Sequence, residues 1–353
     1  MQQPKLGIVI PVSKGEKRLG DTLYYLEQRT TLPYKVVVCS THEGEYEDIC
    51  KAHNADLIIT RTSLGETKNL GAAHMVDCDI LVFMDAHVKV DPGWDTEIVN
   101  ILSDKSVGIA TLYTYTLSPD FKVEHRWQGG AGFKFNYDMK REWCGAARNG
   151  EVEWVNGAFQ AFRRNAFWMM GGFIPFHDED LAISLASRKL GYRNVCGKGK
   201  VGHVFKVGKT TLPYHPINDF HYGDLLIAYL YFPHEQYERI KSKRNFSPAL
   251  VRYIEANFEK MKKYLDDNAG RGPQEEDTVL WTKGGYSSPA TVTTPSTSTS
   301  IHAHTLGECV FPRLITGTLT PRIDTGKVFY RVRCIMDIWG YKNGRCKRRD
   351  SEF

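Results

Sequence analysis

The chain has 353 residues, 42% of them hydrophobic and 25% charged, with a net charge of +5. That balance is ordinary for a soluble globular protein; it permits an anionic substrate without demanding nucleic acid. The length holds one domain of about 250 residues plus an appendage, or two domains, and no apolar stretch approaches the ~18 residues that cross a membrane.

In chain order, "LGIVIPV" (Leu6–Val12) reads as a buried strand, followed by helical spacing over Leu19–Gln28. "KVVVC" (Lys35–Cys39) is a second strand, Asp48–Asn54 a helix and "DLIIT" (Asp56–Thr60) a third strand. "SLGETKNLGAAHMV" reads as a helix with a glycine near its start, and "ILVFM" (Ile80–Met84) as a fourth strand that delivers Asp85. Strands alternating with helices imply an α/β fold with a mostly parallel sheet flanked by helices, and continuous apolar strands imply that both faces are covered. Ligands in such sheets bind beyond the carboxyl ends of the strands, where Asp85 and His87 lie.

After Trp94 the pattern is less regular. Residues 120–150 mix aromatic and basic side chains with glycines and read as an acceptor-binding segment or a solvated loop with aromatic anchors. "VEWVNGAFQAF" reads as a strand pair, or a strand leading into the helix "RRNAFWMM". Helices are expected over Asp180–Leu190 and Ile217–Tyr231, and an amphipathic, basic-faced one over Phe246–Asp267. The domain plan is 1–240 for the main domain, 241–285 for a helical extension, and 286–300 for a Ser/Thr/Pro-rich linker. Residues 301–353 form a small β-like segment with a basic tail. Eight cysteines without CxxC spacing argue against a zinc ribbon or thioredoxin-type site, several of them lying in apolar runs. With no charged-then-apolar leader at the start, a reducing, cytoplasmic location is expected.

Asp85 and His87 are one residue apart, and in an extended segment positions i and i+2 face the same side. Their mixed oxygen and nitrogen donors suit Mn²⁺ without excluding other divalent ions. The triplet by itself fits equally well a capping aspartate and a surface histidine.

Further motifs follow: "GGF" at Gly171–Phe173, "EDLAIS" from Glu179, and "VGHVFK" at Val201–Lys206. With strand–Asp-x-His and "GETKNLGAA" (Gly65–Ala73), this order resembles the polypeptide N-acetylgalactosaminyltransferases, within the family 2-like glycosyltransferases of the GT-A (Rossmann-like) fold. The resemblance spans roughly Leu6 to His221. It implies a metal site of Asp85, His87 and His203 that holds Mn²⁺, or Mg²⁺, against the phosphates of a UDP-sugar. It implies donor-binding roles for Pro11, Glu43, Lys68, Asn69, Asp85 and Gly157. It places Glu179 and Asp180 in the catalytic region, with Asp180 as the base on an acceptor hydroxyl.

The sequence also departs from that family. Asp180 stands where the retaining polypeptide enzymes have Asn, an arrangement closer to inverting enzymes. Cys39 and Ser40 occupy the usual acidic positions after the second strand, with Glu43 as the substitute. "FHDED" replaces "WGGEN", so sugar identity does not carry over. Neither the family's lectin domain nor its membrane anchor is recognisable. Bland readings exist for each residue: a core histidine for His203, a helix-starting acid for Asp180, a turn for Gly157. The expected function is transfer of a hexose or N-acetylhexosamine from a UDP-sugar to a hydroxyl of a protein Ser/Thr, a glycan or a hydroxylated DNA base. The alternatives are a non-catalytic sugar-nucleotide or glycan-binding protein on the same fold, and a nucleotidyltransferase.

Overall fold

Strand alternation sets the layers. In β1 (Leu6–Val12), Leu6, Ile8, Ile10 and Val12 join one apolar cluster while Val9 joins another on the opposite face. This is the period-2 geometry of a strand covered on both sides. The computed structural model describes residues 3–60, 62–124, 129–135, 141–176, 178–205, 216–244, 246–272, 320–324 and 327–331.

The first half matches the α/β expectation. α1 (Leu19–Arg29), β2 (Tyr34–Ser40), α2 (Glu47–Ala52), β3 (Asp56–Ile59), α3 (Leu64–His74) and β4 (Ile80–Met84) follow in order. β3, β2, β1 and β4 lie side by side and all pair parallel. α3 starts with a capping box: Ser63 accepts from the Glu66 N–H, and Glu66 reaches back to Ser63.

The second half makes the sheet mixed. β5 (Val88–Val90), α4 (Trp94–Ser103), β6 (Val107–Thr116), β7 (Gly132–Phe135), β8 (Arg141–Cys144), β9 (Phe159–Arg163), α5 (Arg164–Met169), α6 (Glu179–Lys189) and β10 (Arg193–His203) complete the core. The sheet has eight strands in the order β3-β2-β1-β4-β9-β6-β10-β5. β9 is antiparallel to β4 and β6, β10 is parallel to β6, and β5 is antiparallel to β10. β7 and β8 form a separate hairpin.

Leu19, Leu23 and Leu26 of α1 and Ile98 and Leu102 of α4 cover one face. α3, α5 and α6 cover the other, joined by α7 (Pro216–Tyr231), α8 (His234–Lys243) and α9 (Pro248–Asp267). Ile254, Phe258, Met261 and Leu265 of α9 are buried at spacings of one helical turn, as the amphipathic pattern demands. β11 (Thr320–Asp324) and β12 (Lys327–Arg331) form an antiparallel pair within the expected β-like segment. The expected linker, 286–300, lies outside the described residues, as do the basic tail and much of the aromatic-basic stretch. Among the described residues, no helix is long and apolar enough to cross a membrane. Cys39, Cys50, Cys78 and Cys196 are buried free thiols. Burial pushes the Cys39, Cys50 and Cys196 thiols up to about 12, so they act as small hydrophobes rather than nucleophiles.

Candidate metal and donor site

β4 ends at Met84, and Asp85 follows with its N–H bonded to the Ala158 carbonyl at 3.1 Å. The sequence pattern suggested an extended Asp-x-His; the structure instead puts Ala86 and His87 in a turn between β4 and β5. Thr22 of α1 shapes that turn. Its hydroxyl donates to the Ala86 carbonyl at 3.0 Å and accepts from the Val88 N–H at 3.1 Å. His203 arrives from the last position of β10, in register opposite Val88 of β5. Pairing of β5 with β10 therefore delivers a histidine 118 residues downstream to the end of β4.

The three side chains converge. His203 Nε2 is 3.1 Å and His87 Nε2 3.8 Å from the same Asp85 oxygen, Oδ2. One donor atom from each residue lies within 4.8 Å of the others, making this a candidate metal site. The donors fit a first-row divalent ion, which holds such ligands at about 2.0–2.3 Å and takes carboxylate and imidazole together. Both histidines are buried and Asp85 is half-buried. Burial by itself raises the Asp85 carboxyl. The His203 hydrogen bond and the charges of His87, His203 and Lys68 outweigh it and hold the group well below the usual carboxylate range.

Lys68 of α3 and Glu179 of α6 flank this triad. Lys68 Nζ donates to Glu179 Oε1 at 2.8 Å and lies over the Phe173 ring, 4.9 Å from its centroid. Burial disfavours the ammonium, but Glu179, Asp85 and Asp180 hold its pKa above the ordinary lysine value. The cation thus sits among two acids of α6 and the Asp85 carboxylate of the metal triad. α6 is entered through Asp178 in a left-handed conformation, φ 62° and ψ 31°, uncommon for a non-glycine residue and of the kind seen at functional sites.

Asp180 faces Gly157. The Gly157 N–H donates to Asp180 Oδ2 at 2.9 Å, and a Cβ at Gly157 would lie 3.0 Å from that same oxygen. A glycine is therefore needed for close approach to a carboxylate.

The remaining expected donor residues are placed differently. Asn69 binds the Phe173 backbone through both ends of its amide, donating to the carbonyl at 2.8 Å and accepting from the N–H at 2.9 Å. Gly172, at φ +67°, leaves room for this clamp, since a Cβ there would fall 2.8 Å from Asn69 Oδ1. The "NLG" and "GGF" motifs are thus two halves of one packing contact. Pro11 lies near the end of β1 in register with Cys39. Glu43 is exposed in the turn after β2, and Ser40 is buried with its hydroxyl on the His42 carbonyl at 2.8 Å. Sequence reasoning missed Glu16, whose Oε2 lies 3.0 Å from His87 Nδ1. Only tertiary contact reveals it, because it sits in a loop 71 residues before its partner.

Residues 7–171 match the sequence family described as glycosyl transferase family 2. The chain is similar to the crystal structure of GalNAc-T7 with UDP, GalNAc and Mn²⁺, at a TM-score of 0.63 and 15% identity, over 75% of this chain and 55% of that one. This chain therefore spans about half the length of that protein. Lower likenesses are the mannosyltransferase PcManGT from Pyrobaculum calidifontis in complex with GDP-Man and Mn²⁺ and S. aureus TarS in complex with UDP-GlcNAc. Their TM-scores are 0.43 and 0.46, with 15% and 11% identity. The matches cover 80% of this chain and 80% of PcManGT, and 73% of this chain and 76% of TarS. No curated protein matches the sequence. The fold is that of the GT-A glycosyltransferases, and it resembles the catalytic domain of the polypeptide N-acetylgalactosaminyltransferases.

Proposed function

We propose that the protein is a metal-dependent glycosyltransferase that moves a hexose or N-acetylhexosamine from a UDP-sugar to an acceptor hydroxyl. The hydroxyl belongs to a protein Ser/Thr, a glycan or a hydroxylated DNA base. The observation that carries this reading is the convergence of Asp85, His87 and His203 at the carboxyl end of β4, a strand within the residues that match glycosyl transferase family 2. The free buried thiols fit a reducing, cytoplasmic setting.

Asp85, His87 and His203 are the residues to hold Mn²⁺ or Mg²⁺, which when bound supplies charge neutralisation for the nucleoside diphosphate leaving group. Lys68, held by Glu179, adds a fixed positive charge beside that triad, and Gly157 is the small residue on the donor side that admits the Asp180 carboxylate. Asp180 is the general base. Its Oδ2 is oriented by the Gly157 N–H, and the carboxylate takes the acceptor proton as the acceptor oxygen bonds to the anomeric carbon. The bond to the diphosphate breaks in the same displacement, the electron pair leaves with UDP, and the anomeric configuration inverts. Pro11, Glu43 and Asn69 complete the donor side, Asn69 by bracing α3 against Phe173.

The test is a screen of UDP-sugars against the purified chain, reading released UDP with and without Mn²⁺ or Mg²⁺. Metal-dependent UDP release that His203→Ala abolishes is the expected result. No release above the His203→Ala background with any donor, while UDP still binds, would instead favour a non-catalytic sugar-nucleotide-binding protein. Release of pyrophosphate from a nucleotide substrate would point to a nucleotidyltransferase.

A further inference from the structure

Glu16 stands in the loop between β1 and α1 and is not a member of the Asp85–His87–His203 triad. Its side chain is nevertheless nearly buried, 8% exposed, and Oε2 meets His87 Nδ1 at 3.0 Å. A carboxylate only accepts, so Nδ1 of a neutral His87 must carry the proton. Nε2 is then left with its lone pair, and Nε2 is the nitrogen that faces Asp85 Oδ2. Without that contact the imidazole is free to take the opposite tautomer, with a proton on the nitrogen that faces the site.

The loop is itself fixed. The other Glu16 oxygen, Oε1, accepts from the Arg18 N–H at 3.0 Å, and the Glu16 N–H donates to the Tyr46 hydroxyl at 2.9 Å. That hydroxyl donates to the Ser13 carbonyl at 2.6 Å, and the Tyr46 residue is 1% exposed. Glu16 is therefore held at its backbone N–H and at one carboxylate oxygen, and the other oxygen meets His87. Thr22, on the helix that follows the loop, holds the backbone on either side of His87 through the Ala86 carbonyl and the Val88 N–H.

We propose that Glu16 is a positioning residue for the metal site. It selects the Nδ1–H tautomer of His87 and fixes the ring plane, so that Nε2 is presented as a ligand alongside Asp85 and His203. This rests on the reading of that triad as a metal site. A hydrogen-bonded carboxylate behind a ligating histidine raises its basicity and removes its rotational freedom, and losing one typically costs about 10–100-fold in metal affinity.

The experiment uses the full chain and two readouts. The first is the Mn²⁺ dissociation constant, from the loss of the free-ion electron paramagnetic resonance signal. The second is the tautomer of His87 in the metal-free protein, from long-range proton–nitrogen correlation spectra of the histidine rings. Glu16→Met removes the acceptor at near-equal volume and Glu16→Ala removes it with loss of volume, so a folding defect in one leaves the other to carry the test. Both are expected to weaken Mn²⁺ binding by about 10–100-fold and to shift His87 away from the Nδ1–H form. Glu16→Gln keeps an acceptor oxygen and is expected to restore part of both. Wild-type Mn²⁺ affinity and an unchanged His87 tautomer in Glu16→Met or Glu16→Ala would overturn the assignment while leaving the metal site standing. A wild-type chain that binds no Mn²⁺ would instead overturn the metal reading, and the Glu16 role with it.

Discussion

Lys68 and Glu179 form a 2.8 Å ion pair with side chains only 2% and 6% exposed, joining the α3 helix to the first residue of α6. Two buried charges in such a pair lose most of their hydration, and the attraction between them offsets that loss only while both are present. The pair ties the helix beside the metal triad to the helix whose second residue, Asp180, is the proposed base.

Lys68→Met is therefore expected to destabilise the protein by about 3–5 kcal/mol, because Glu179 is left buried without its partner. Urea unfolding of the single variants and of Lys68→Met/Glu179→Met measures this. The double variant should recover much of the loss, since an apolar pair of similar volume is often neutral. Additive losses would show that the two side chains act independently.

Asp180→Asn keeps size and most hydrogen bonding but removes the proton acceptor. Turnover is expected to fall by about 10²–10⁴-fold with little change in Mn²⁺ or UDP binding. Product analysis of the wild type by proton NMR decides the stereochemistry. A product that retains the donor's anomeric configuration would exclude the single displacement and reduce Asp180 to an orienting residue.

Gly65→Ala tests the approach of α3 to the "GGF" turn. A Cβ at Gly65 would lie 1.9 Å from the Ile174 carbonyl oxygen and 2.9 Å from its carbon. Backbone does not yield as a flexible side chain does, so a loss of about 1–3 kcal/mol or more is expected. A wild-type melting temperature in this variant would mean that α3 sits farther from Ile174 than described.

Asp77 gives a pH prediction. Lys35 and Lys5 donate to it at 2.7 and 2.6 Å and lower its carboxyl to about 2. A depressed carboxyl stabilises the fold fully above its unfolded value near 3.8 and loses that contribution as pH falls through about 2. The side chain is 45% exposed, so solvent screening limits the effect to less than about 1 kcal/mol. Asp77→Asn should flatten the stability-versus-pH curve between those two values. An unchanged slope would assign the acid transition to other carboxylates.

The first half of the fold was legible in local pattern. β1 to β4 are short apolar runs bounded by turn residues, and such runs have few places to go except a sheet covered on both faces. Their parallel pairing placed Asp85 at a carboxyl end, and the family resemblance carried by "GGF", "EDLAIS" and "VGHVFK" named the candidate site residues. The second half was less legible. β10, "RNVCGKGKVGH", carries glycines and lysines and two register irregularities, so its strand character comes from its neighbours β6 and β5 rather than from its own pattern. β9 runs antiparallel between β4 and β6, which no local periodicity encodes.

How the site is held depends on long-range contacts. The Asp85–His87 spacing suggested an extended segment, but Thr22 folds it into a turn. Asn69 carried a donor-binding expectation, yet its amide clamps the Phe173 backbone. Glu16 reaches His87, and Lys68 reaches Glu179 across 111 residues. Such contacts depend on where a whole sheet and its helices bring distant side chains. A sequence window reports periodicity and capping chemistry over one element at a time, so it names the groups able to bind a metal or move a proton. It does not say which partner orients each of them.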